Sequence, residues 1–193
     1  LEGLTPAMLV ALGENGVKNS DLLVALNPGA SCASKRWGIK NFADVANGLV
    51  EKYGVRVAVI SGNIDKRFGD ELAPLIRKGA INLSGKTSIG DIASLLKRCK
   101  LFISNDSGPV HIGCAVGTPV IAIFGRSDRG LSPERWGPSG KRDVVLHKMV
   151  GCEICYAHNC RSGFKCLDSI TASEVLDAAE KILKNECDPM PPS

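Results

Sequence analysis

Short continuous apolar runs alternate along this chain with longer stretches whose apolar positions recur at helical spacing. Leu4, Met8, Leu9 and Leu12 predict a first helix that ends at the "GENG" turn. "DLLVALNPGA" follows, an apolar run closed by Asn-Pro-Gly, as in a buried strand with a sharp exit. "KNFADVANGLVEKYG" puts Phe42, Val45, Ala46, Leu49 and Val50 on one helical face and stops at Gly54. "VRVAVISGN" predicts a second strand, and "DKRFGDELAPLIRKG" a helix with Pro74 in its middle.

The alternation continues through strand "AINLSGK", helix "SIGDIASLLKRCK" capped by Ser88, strand "LFISN", helix "SGPVHIGCAVG" and strand "PVIAIFG". "DVVLH" predicts one more strand. "TASEVLDAAEKILKN" predicts a last helix, with Thr171 as cap and Glu174 at the capping-box position, before a frayed tail over 188–193. Strands and helices in this rhythm imply βαβ units: an α/β, Rossmann-like, doubly wound parallel sheet. Ligands of such sheets bind at the carboxyl ends of the strands, where the strand order reverses. The polar stretches "NPGASCASKRW" and "NDSGPVH" both fall there.

Composition and charge narrow the classes. The 193 residues suit one large domain, or one with an appendage, and 44% of them are hydrophobic. A net charge of +4 is compatible with an anionic small ligand or an acidic membrane surface and gives no case for nucleic acid. No run reaches the ~18 apolar residues that cross a bilayer. The acidic N-terminus lacks the basic region of a secretory signal, so a cytoplasmic setting is the simplest expectation.

In "NDSGPVH", Asp106 or Ser107 can cap the following helix, Pro109 suits its first turn, and Gly108 admits a ligand close to the backbone. The free N–H groups of a helix start, with the dipole behind them, form an anion site that His111 can join. A plain N-cap with a tight turn accounts equally for the same residues. After the first strand, Gly29, Ser31, Ser34, Lys35 and Arg36 offer small residues, hydroxyls and cations suited to a diphosphate, or form a solvated loop. Neither GxxxxGK[ST] nor GxGxxG is present, which disfavours a Walker A loop and a nicotinamide cofactor.

Together "NPGAS…SKRW", "INLSGKTSIGDIASLL", "SNDSGPVHIGCAVGTPVIAIFG", Gly137–Pro138 and a later C-x2-C resemble the C-terminal half of family 9 glycosyltransferases, the ADP-heptose:lipopolysaccharide heptosyltransferases, from about Leu22 to Leu183. The resemblance implies one half of a GT-B enzyme, with the nucleotide-sugar donor held here and the acceptor in an N-terminal domain. It implies Lys35 on the donor diphosphate with Ser31 nearby, and Asp106, Ser107, Gly108 and His111 around phosphate and sugar. Asp65, after Gly62, falls where a ribose would lie. A complete member is about twice this length and keeps its base in the acceptor domain. Residues 1–20 then read as the tail of an interdomain connection and 21–187 as the donor domain, a half that binds without turnover. A lipid-linked sugar acceptor would reach it through the other half, with peripheral membrane contact.

The loop Gly125–Arg142 is long and polar, and Ser127 and Asp128 come first after the strand, so they are the expected donor contacts. Trp37 and Trp136 are expected in the core rather than on a nucleobase. Cys152, Cys155, Cys160 and Cys166 follow C-x2-C-x4-C-x5-C spacing within 152–166. A structural zinc knuckle, with His158 as a spare ligand, disulfides or free thiols, and an iron–sulfur cluster all suit these residues. No cofactor is expected for catalysis. The family likeness favours a structural staple, and Cys32, Cys99, Cys114 and Cys187 read as structural. Two other functions fit the residues: a GT-B half using another nucleotide sugar, and a non-enzymatic zinc-knuckle adaptor.

Overall fold

A computed structural model describes residues 3–185. The frayed tail at 188–193, the domain end at 187 and Cys187 lie outside the described residues, as do the first two residues of the 1–20 segment. Six parallel strands form one sheet in the order β3-β2-β1-β4-β5-β6. They are β1 (Leu23–Asn27), β2 (Arg56–Val59), β3 (Ile81–Asn82), β4 (Leu101–Asn105), β5 (Val120–Phe124) and β6 (Val144–His147). The order reverses between β1 and β4, which pair directly from Val24↔Leu101 to Asn27↔Ser104.

Central strands are buried on both faces, so they run apolar without alternation until the polar residues at the carboxyl ends of β1 and β4. Val24, Leu26, Val57, Val59, Ile103 and Ile123 point to one side, against α2 (Ile39–Tyr53) and α8 (Ala172–Asn185). Leu23, Ala25, Ala58, Phe102 and Ala122 point to the other, against α1 (Pro6–Glu14), α4 (Ile89–Arg98) and α5 (Gly108–Ala115). Leu4, Met8, Leu12 and Val17 are part of that second core. The first segment thus forms the expected helix, α1, and packs it on this face of the sheet. Thr5 caps α1 and its hydroxyl donates to Asp91 of α4 at 2.5 Å.

Helix ends follow local chemistry. Ser88 and Asp91 form a capping box on α4, Thr171 and Glu174 bond reciprocally at the start of α8, and Gly54 closes α2 at φ +63°. The helix expected across 65–79 is shorter. α3 spans Lys66–Leu72 and passes into a 3-10 turn at Ala73–Leu75, because Pro74 lacks the N–H that would extend the α-ladder. Two short helices complete the fold, α6 (Pro133–Trp136) after β5 and α7 (Lys165–Asp168) after the cysteine loop.

Candidate functional site

Both strands at the switch point end in asparagine. Asn27 donates to the Ser104 hydroxyl at 3.1 Å and the Ser107 hydroxyl at 2.7 Å, and accepts from Gly29 N–H. Asn105 donates to Pro28 C=O at 2.8 Å and accepts from Trp37 N–H at 2.9 Å. Buried amides that bond on both sides are costly to leave unpaired, so this ladder fixes the β1 and β4 loops against each other. Trp37 completes it: its indole N–H donates to Ile170 C=O and its ring meets Phe42 edge-on, in the core as expected.

Upon this frame the structure brings Lys35, Asp106 and Arg126 together. Lys35 Nζ stands 3.4 Å from Asp106 Oδ1, and Arg126 Nη2 donates to Asp106 Oδ2 at 2.6 Å. Asp106 is thus bound between two cations. The side chains of Asp106 and Arg126 are only 8% and 4% exposed, whereas Lys35 keeps 18%. Two cations against one carboxylate leave the group net positive, and Arg126 Nε is buried without a hydrogen-bond partner among the described residues. Arg36 is committed elsewhere: Nε donates to Ala30 C=O and the guanidinium lies 4.6 Å over Phe68.

Helix α5 begins beside this triad. Its N-cap is Ser107, one of the two expected cap positions, but the hydroxyl accepts from Asn27 and makes no capping bond to the helix amides. The first-turn amides keep their field, and the space over Gly108 is open, with nothing within 4 Å of an added Cβ. His111 is exposed one turn on, its ring centroid 6.3 Å from that of Trp136. Trp136, expected in the core, is instead 42% exposed, its indole held by Gly130 C=O, because α6 is too short to carry it inward.

Ser31 is exposed in the β1 loop. Asp65 comes beside that loop: a Cβ on Gly29 would lie 2.9 Å from Asp65 Cβ, so only glycine permits the approach. Asp128 turns its carboxylate back to Gly130 N–H. Ser127 faces the cysteine loop. Its N–H and hydroxyl, with the Asp128 and Ala157 N–H groups, donate to Cys155. Burial pushes that thiol up, but these donors prevail and hold it below the ordinary thiol value. Cys166 donates to Gly125 C=O at 2.7 Å, and burial pushes its thiol up.

Cys152, Cys155, Cys160 and Cys166 all line one cavity of about 310 Å³, with Arg126 and Ser127 in its wall. Among the described residues every cysteine is a free thiol, and no three His, Cys, Asp or Glu side chains form a group that could hold a metal ion. Cys32 faces Ser34, Cys114 faces Asp143, and Cys99 is buried, its thiol pushed up to about 12. Sequence reasoning missed Arg126, Asn27 and Asn105. The signal for the two asparagines was an amide closing a largely apolar strand; for Arg126 it was only membership of the polar Gly125–Arg142 loop, whose Arg and Ser residues could close over a ligand.

This carboxyl edge has known counterparts. Residues 10–165 match the model of Glycosyltransferase family 9 (heptosyltransferase). The lipooligosaccharide heptosyltransferase 2 of Campylobacter jejuni (serotype O:2) is 28% identical over 174 residues, covering 88% of this chain and 53% of that protein. The crystal structure of a family 9 glycosyl transferase from Veillonella parvula superposes with TM-score 0.81 at 28% identity, over 96% of this chain and 53% of that one. The fold recurs in E. coli ADP-heptose LPS heptosyltransferase II, TM-score 0.78 at 23% identity, over 97% and 54%. The chain spans about half the length of the relatives it matches. With the match running from α1 through the switch-point loops to the cysteine loop, the chain belongs to glycosyltransferase family 9, the heptosyltransferases.

Proposed function

We propose that this chain is the donor-binding half of an inverting GT-B glycosyltransferase that transfers heptose from ADP-heptose to a lipopolysaccharide core sugar. The observation that carries the reading is the net-positive Lys35–Asp106–Arg126 group beside the uncapped start of α5, in a chain of this family. Lys35 lies against the donor diphosphate, with Ser31 as a hydroxyl donor. Gly108, Ser107 and His111 meet the phosphate and sugar from α5, and Asp106 faces the sugar. Asp65 accepts from the ribose, and Ser127 and Asp128 border the donor from the β5 loop. In the transfer, an acceptor hydroxyl attacks the anomeric carbon as the bond to the diphosphate oxygen breaks. Negative charge then grows on the departing nucleotide, where Lys35 and the α5 amides stabilise it. The base that takes the acceptor proton belongs, on the family likeness, to the acceptor half, so these 193 residues bind without turnover. The acceptor is a lipid-linked sugar, which brings the enzyme to the inner face of a membrane as a peripheral protein.

Calorimetric titration with ADP, UDP and GDP tests the reading. ADP should bind in preference, and Lys35→Ala should weaken it by about tenfold or more, the scale of one charge-assisted phosphate contact. Equal affinity for the three nucleotides would move the reading to another nucleotide sugar. Steeply salt-dependent oligonucleotide binding would move it to an adaptor.

A structural zinc at Cys152, Cys155, Cys160 and Cys166 is a separate proposal. It is supported by the four thiols lining one cavity, and it requires the 152–166 loop to close further than it does here. Elemental analysis of the purified chain tests it: one zinc per chain, with a melting temperature lowered by a chelator, is the supporting result. A metal-free chain indifferent to chelators removes it.

A further inference from the structure

Asp106 is contested by two cations, and the contest is unequal. Arg126 reaches it at 2.6 Å from a side chain that is 4% exposed; Lys35 reaches the other oxygen at 3.4 Å from one that is 18% exposed. A guanidinium buried at this depth does not face a ligand arriving from solvent, whereas the lysine ammonium does. Lysine is also a point charge on a flexible stem, free to change partners, while arginine's planar fork holds one. We propose that Arg126 is a positioning residue of the donor site: by satisfying Asp106 it leaves the Lys35 ammonium free for an anionic diphosphate. The proposal rests on the donor-site reading above.

The alternatives are set by the same geometry. Without Arg126, Asp106 would be a nearly buried carboxylate with Lys35 as its remaining cation, and the two would close into a tight pair. Lys35 would then have to break that pair to meet a phosphate. Arg36 cannot substitute, because it is held by Ala30 and Phe68. Arg126 thus acts on the ligand through Asp106 and through the partner choice of Lys35. Its Nε has no hydrogen-bond partner among the described residues, and the side chain also lines the cysteine cavity, so Asp106 is the one carboxylate it is seen to pair with.

A mutant cycle on the full chain tests this with two readouts. One is ADP affinity by calorimetry. The other is the rate at which trinitrobenzenesulfonate modifies Lys35 without nucleotide, followed by peptide mass spectrometry, which reports the freedom of the ammonium directly. Arg126→Gln should weaken ADP binding by about tenfold and slow Lys35 modification by about threefold or more, on the scale of a close charge pair gained by the lysine. Arg126→Lys, which keeps the charge, should stay near wild type in both. In an Asp106→Asn background, removing Arg126 should change neither readout, since nothing remains to capture Lys35; this comparison stands even if Arg126→Gln alone does not fold. Unchanged Lys35 reactivity in Arg126→Gln overturns the proposal. So does a loss of ADP affinity on removing Arg126 in the Asp106→Asn background, which would mean that Arg126 meets the ligand or the scaffold itself. A wild-type chain that binds no ADP counts against the donor-site reading, while the modification rates still decide the role of Arg126.

Discussion

Gly125 sits where three parts of the site meet. A Cβ there would lie 2.8 Å from Ser34 C=O and 2.6 Å from Leu167 Cγ, and its own carbonyl already accepts from Cys166. Gly125→Ala must therefore push the β5 end away from the β1 loop and from α7. The expected cost is about 1–3 kcal/mol in denaturant unfolding, the scale of overpacking, together with weaker ADP binding as Arg126 shifts off Asp106. Stability lost without any change in ADP affinity would separate the glycine from the site. At this scale the sequence was informative where function is local. Lys35, Asp106 and Gly108 stand in short motifs at strand ends, and the structure brings Lys35 and Asp106 within 3.4 Å. It was silent where contact is made across the fold. Arg126 meets Asp106 over 20 positions of separation, by way of a complete strand, and no period or motif encodes that meeting. Trp136 failed for a related reason: its aromatic character suggested burial, while the four-residue α6 that carries it has no apolar face to bury.

At the scale of elements, α8 shows how local chemistry and tertiary contact combine. Glu174 accepts from Thr171 N–H and hydroxyl at 2.8 Å, and Lys148, just past β6, donates to the same carboxylate at 2.8 Å and to Ser169 C=O at 2.7 Å. One carboxylate thus ties the start of α8 to the edge of the sheet. Lys148 first, then Thr171, hold the Glu174 carboxyl down to about 2. A depressed folded value means the contribution is full above the ordinary carboxyl range and is lost as pH falls toward 2. Glu174→Gln should therefore lower the melting temperature at neutral pH, with the gap to wild type closing in strong acid; a gap that stays constant with pH would refute the charge-based account. The group is solvent-exposed, so the effect is modest and shrinks in high salt. Thr171→Ala, which removes the cap itself, should cost about 1 kcal/mol at neutral pH, part of it fading in strong acid because the Thr171 hydroxyl also donates to the Glu174 carboxylate. Most of this was legible: the Thr-x-x-Glu spacing announces the box, and continuous apolar runs announced the central strands. The exceptions have physical causes. β3 is an edge strand that pairs with β2 over only Ile81 and Asn82, and the helix across 65–79 stops where Pro74 removes a donor.

The whole molecule is a sheet in two halves joined at the β1–β4 pair, and the candidate site straddles that joint. Lys35, Ser31 and Asp65 come from the loops after β1 and β2, on one side. Asp106, Gly108 and Arg126 come from the loops after β4 and β5, on the other. The two hydrophobic clusters, by contrast, each run continuously under both halves, so neither half has a core of its own. Unfolding should accordingly be a single transition, and a ligand that bridges the joint should raise the whole of it. ADP at 100 times its Kd is expected to add about 2.7 kcal/mol, which for a domain of this size is a rise of roughly 5–11 °C in Tm. The two tryptophans make the expectation specific. Trp37 is buried across the joint, bonded to Asn105 and Ile170, whereas Trp136 is exposed on the β5 side. Following Trp136→Phe by the fluorescence of Trp37 and by far-UV circular dichroism should give coincident curves, shifted together by ADP. Curves that separate, with only the Trp37 signal moving on addition of ADP, would mean that the halves melt independently and that the donor grips one of them. Coincident curves shifted by ADP and left in place by UDP would tie base preference to a site assembled by the joint itself, since no loop on either side carries all of its charged groups.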